Sequence, residues 1–80
     1  MMLRIITKMA DKYEKALEKV ETEAVLKSSG QILVSFARND DTFIVTFHYP
    51  GENRASNWIL KKELRKKLKK IDKDFTLEEI

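Results

Sequence analysis

Lys61, Lys62, Arg65, Lys66, Lys69, Lys70 and Lys73 follow one another closely, and Trp58 stands just ahead of them. Steps of three and four put Trp58, Lys62, Arg65, Lys69 and Lys73 along one side of a helix, with Lys61, Lys66 and Lys70 widening the stripe. Cations arranged in this way attract phosphates, and an exposed indole beside them can stack on a base. An acidic protein surface could be gripped through the same residues, with Trp58 as the anchor. Within residues 54–73 Lys outnumbers Arg seven to two. Lysine is a point charge, whereas arginine makes bidentate contacts with guanine, so contacts with little sequence preference are expected.

The stripe carries a cost. Lys61–Arg65, Lys62–Lys66, Arg65–Lys69, Lys66–Lys70 and Lys69–Lys73 are like-charge pairs four residues apart, which together destabilise an isolated helix by about 1–2 kcal/mol. A polyanion would recover that energy by neutralising the stripe and releasing counterions. A lysine-rich face can also be no more than solvated surface. Segregation of charge favours binding: residues 54–73 hold nine basic groups against Glu63 and Asp72, whereas residues 1–30 are nearly balanced and residues 31–53 and 74–80 are net acidic.

Other chemistry is thinly represented. His48 is the only histidine and has no partner defined by spacing, so it reads as a strand-end side chain and not as a general base. Asp40-Asp41 is a turn pair and not a metal-binding cluster, and no cysteine is available as a ligand. Ser28 and Ser29 lack a nucleophile elbow, and Gly30 and Gly51 form no phosphate loop. The expectation is a non-enzymatic binding module with no catalytic residues, no metal and no cofactor.

Eighty residues make a single domain, residues 1–80. Apolar residues at 42% and charged residues at 36% argue against a disordered tail. No apolar run exceeds three residues, against the roughly 18 needed to span a membrane. Thr7 and Lys8 interrupt any secretory signal after Arg4, and the absence of cysteine gives no hint of an oxidising compartment. A cytoplasmic location is expected. A basic amphipathic helix with a tryptophan is also the pattern of an interfacial membrane anchor, but here the apolar stripe is needed to cover the rest of the chain.

The elements that must position the stripe can be read from periodicity. Met2, Ile5, Ile6, Met9, Tyr13, Ala16, Leu17, Val20 and Ala24 recur mostly at steps of three and four, which predicts one long first helix ended by a left-handed Gly30. Asp11–Lys15 and Lys19–Glu23 would be its opposite-charge pairs. Residues 32–47 read as a hairpin. A two-residue turn at Asn39-Asp40 would face Phe36 with Phe43, Val34 with Val45, Ile32 with Phe47 and Arg38 with Asp41. A second helix starts near Ser56, capped by Ser56 or Asn53, with Leu60, Leu64, Leu68, Ile71 and Phe75 as its apolar stripe. Phe75 to Glu79 fits either a capping box or a short strand.

The predicted class is α+β, with a helix–strand–strand–helix order and both helices packed on one face of an antiparallel hairpin. The alternative is a βαββαβ ferredoxin-like arrangement, if both chain ends are strands. In outline the first order resembles double-stranded-RNA-binding domains but lacks their third strand, and no family is assigned. A lone hairpin has two free edges, so a homodimer through the hairpin edge is also expected, giving a four-stranded sheet under four helices.

Overall fold

The computed structural model describes residues 1–80. Its elements are β1 (Met2–Thr7), α1 (Ala10–Lys27), β2 (Leu33–Asn39), β3 (Thr42–His48), α2 (Arg54–Lys69) and β4 (Phe75–Glu79). The four strands form one antiparallel sheet in the order β2-β3-β1-β4. Both chain ends are therefore strands. The β-α-β-β-α-β order fits the ferredoxin-like alternative and replaces the helix–strand–strand–helix one.

The first helix is shorter than periodicity predicts. Met2–Thr7 is a strand in which Leu3, Ile5 and Thr7 are buried while Met2, Arg4 and Ile6 face the other way. The adjacent pairs Met2-Leu3 and Ile5-Ile6 look helical in sequence because the strand is apolar on both faces. Position decides the outcome: β1 lies between β3 and β4, so its backbone is paired along both edges. The rest of the stripe stays on α1, where Tyr13 and Leu17 are fully buried. Its end comes through Ser29 at φ 56° and Gly30 at φ 81°, with the Gly30 amide donating to the Val25 carbonyl at 2.8 Å. The expected pairs along α1 are not the ones formed. Asp11 is taken by Arg38, and Glu23 lies 3.8 Å from Lys27 and 3.5 Å from Lys67 of α2.

The hairpin turns at Asp40-Asp41 and not at Asn39-Asp40, with Asp40 at φ 55°. Val34 therefore faces Phe47, Phe36 faces Val45 and Arg38 faces Phe43. Moving a two-residue turn by one position shifts the register by two, so the predicted apolar face survives. Val34, Phe43, Val45 and Phe47 are all buried. Arg38 does not pair with Asp41. Its guanidinium donates to Asp11 at 2.8 Å, to Glu14 at 2.9 Å and to the Asp40 carbonyl at 2.8 Å, and it lies 5.8 Å from the Phe43 ring centre. This clamp joins the hairpin to the first two turns of α1.

The core joins Leu3 and Ile5 of β1, Tyr13 and Leu17 of α1, Val34, Phe43, Val45 and Phe47 of the hairpin, and Leu64 and Leu68 of α2. Both helices thus cover one face of the sheet. The edge of β3 expected to be free is occupied by β1, so a single chain supplies the four-stranded sheet that the edge-paired homodimer was meant to build.

Candidate functional site

Helix α2 starts where Asn53, in an extended conformation, accepts a hydrogen bond from the Ser56 amide at 2.9 Å. Asn53 is therefore the cap and Ser56 is already inside the helix. The start is fixed further by Tyr49, whose hydroxyl donates to Asn57 Oδ1 at 2.6 Å. From there Leu60, Leu64 and Leu68 turn toward the sheet, with Leu64 and Leu68 buried. Their burial sets the rotation of the helix and so decides which way the cations point.

Trp58, Lys62, Arg65 and Lys69 lie on the outward side, all exposed, and Lys66 lies beside them. Trp58 keeps 58% of its surface accessible, so the indole is outside the core. The Lys62 ammonium sits 4.9 Å from the centre of the Trp58 ring, a cation–π contact that covers part of the indole. A base stacking on Trp58 would displace Lys62 from that face or use the other one.

The helix ends at Lys69, earlier than the stripe requires. Lys70 is the C-cap residue, and Lys73 lies in the connection to β4. Lys73 is exposed but not held on the helical stripe. Ile71 packs against the core from the turn, and Phe75 does so from β4, where its ring meets Tyr13 edge-on at 5.6 Å. Lys61 departs in another way: it is partly covered, and its ammonium is 3.9 Å from the Glu79 carboxylate. Lys67 reaches across to α1, its ammonium 3.5 Å from the Glu23 carboxylate.

No carboxylate lies within 4.0 Å of the charged ends of Lys62, Arg65, Lys66, Lys69, Lys70 or Lys73. Lys66, Lys67 and Lys69 do occupy the last turn, where the negative end of the helix dipole offsets part of their mutual repulsion. The first turn of α2 carries no acidic residue.

Two residues join the site that the sequence reading passed over. Arg54 is the first residue of α2, exposed, and four positions before Trp58, so it extends the same stripe. Starting the helix near Ser56 hid it. Ile59 is 51% exposed beside Trp58, an apolar spot that a helical wheel centred on Leu60 and Leu64 would have revealed.

His48 is exposed at the end of β3 and makes no side-chain hydrogen bond within the chain. No group of three or more His, Asp or Glu side chains comes together, and no helix is long and apolar enough to cross a membrane. Comparison with protein-family models, curated proteins and solved structures finds no match to this chain.

Proposed function

We propose that the protein is a non-enzymatic binding module that contacts nucleic-acid phosphates through the outward face of α2. The reading rests chiefly on one observation: seven cations in and just after this helix, Arg54 among them, have no carboxylate partner in a chain with thirteen acidic residues. Phosphates would supply the missing counter-charge. The binding residues are Trp58, Lys61, Lys62, Arg65, Lys66, Lys69, Lys70 and Lys73, with Arg54 added at the helix start; Lys61 contributes least because Glu79 already engages it.

Binding of a labelled oligonucleotide across a salt series tests this. Neutralising about five phosphates gives a slope of log K against log salt of about −4 to −5 on duplex. Lys62→Glu with Lys69→Glu should weaken binding and make the slope shallower by about one unit per lost contact. Trp58→Ala should lower affinity for single strands by roughly five- to a hundredfold. Absence of binding at low salt, or a flat salt response, defeats the reading.

A second reading has its own support. Exposed Ile59 beside Trp58 makes a small apolar spot next to the cations, which suits an acidic protein partner better than a phosphate backbone. Capture of one stoichiometric protein after nuclease treatment, lost in Trp58→Ala, would favour it.

A further inference from the structure

We propose, resting on the phosphate-binding reading of α2, that the nucleic acid held there is single-stranded, with an unpaired base stacked on Trp58. Two features of the helix carry this: the narrowness of its cationic crest and the place of the indole on that crest.

At 100° per residue, Arg54, Trp58, Lys62, Arg65, Lys66 and Lys69 fall within about 120° of the helix circumference. Carboxylates stand on both flanks of that arc. On the side of β4, Glu79 lies 3.9 Å from the Lys61 ammonium. On the side of α1, Glu23 lies 3.5 Å from the Lys67 ammonium. Exposed Glu63 borders the same cleft between the helices and has no cation within 4.0 Å. A helix seated in the major groove of a duplex has a phosphate backbone on either side of it. Here one of those backbones would face Glu79 and the other Glu63 and Glu23, and like charges set against each other oppose binding. A single backbone lying along the crest meets the cations between the flanks. From Arg54 to Lys69 the crest runs for about 22 Å, with neighbouring cations about 5–6 Å apart, which a flexible strand can follow from phosphate to phosphate.

Trp58 selects the strand as well. It is exposed on the crest, four residues from Arg54 on one side and from Lys62 on the other, so a strand gripped at both passes a base over the indole. The Lys62 ammonium now sits 4.9 Å from the ring centre, and turning it to a phosphate uncovers that face. A duplex could offer one of its two backbones to the crest, but its bases are paired and stacked, and drawing one out costs free energy. An unpaired base pays no such penalty and gains the stack.

Trp58 is the only tryptophan, so its fluorescence reports the contact directly. The probes are an oligothymidylate of about twelve nucleotides and a DNA hairpin with the same number of phosphates, titrated at one low salt concentration. The single strand should bind about tenfold more tightly or better and quench the indole, while the hairpin leaves its emission nearly unchanged. In Trp58→Ala, followed by anisotropy of labelled DNA, the preference for the strand should shrink about fivefold or more. Glu79→Gln with Glu23→Gln and Glu63→Gln should strengthen hairpin binding more than strand binding. A hairpin bound as tightly as the strand, or a preference that neither set of substitutions reduces, overturns the proposal and leaves phosphate binding standing. Failure of both probes to bind removes the phosphate reading and this proposal together.

Discussion

Tyr13 and Trp58 put aromatic side chains to opposite uses. Tyr13 is fully buried, and its hydroxyl donates to the Asp72 carbonyl at 2.7 Å, holding the connection after α2 against α1. Burial pushes its phenol above the ordinary value, aided by the carboxylates of Asp72 and Asp74 and opposed by the Thr7 hydroxyl. Tyr13→Phe leaves the Asp72 carbonyl without that donor and should cost about 1–2 kcal/mol in urea unfolding at neutral pH. The pH dependence has a definite sign. Above about pH 10 the unfolded chain loses the phenolic proton before the folded chain does, so wild-type stability falls as pH rises. Tyr13→Phe should show a shallower alkaline decline. Trp58 stays 58% exposed outside the core, with Lys62 over one face of its ring.

At the scale of the element, α2 depends on its cap. Asn53→Ala removes the acceptor for the Ser56 amide and should cost about 1 kcal/mol, read as a lower urea midpoint with unchanged slope. The sequence disclosed the two helices that pack on the sheet, the hairpin and the outward aim of Trp58, Lys62, Arg65, Lys66 and Lys69, but not the departure of Lys61 and Lys73 from that stripe. Each of these rests on a period, and a buried stripe fixes the opposite side by geometry. Three features were hidden, each for its own reason. β1 was masked because a central strand that is apolar on both faces has no clean alternation, and its identity depends on β3 and β4, which are distant in sequence. The exact turn was hidden because Asn39, Asp40 and Asp41 are all acceptable turn residues, and the apolar faces are the same for either register. The end of α2 was hidden because Leu68, Ile71 and Phe75 keep helical spacing, although the last two reach the core from a turn and a strand. At the site itself, chain neighbours revealed which cations are abundant. Only the fold revealed that Glu79 engages Lys61 and Glu23 engages Lys67.

Across the whole molecule, sheet order and charge reinforce one another. Placing β1 between β3 and β4 brings the two ends of the chain side by side, and the Ile80 amide donates to the Met2 carbonyl at 3.0 Å. This arrangement puts the acidic last strand at the sheet edge, where it neutralises Lys61 and Arg4 but leaves the outward side of α2 unopposed. The molecule is thus polar in the electrical sense, with one cationic flank and a neutral back, although its formal net charge is only +3. Such a body does not meet a charged bead at random. On a cation-exchange resin it should land flank first and leave at a higher salt concentration than a chain of equal net charge with its signs interspersed. Its retention time would thus report how its charges are distributed as well as how many it has.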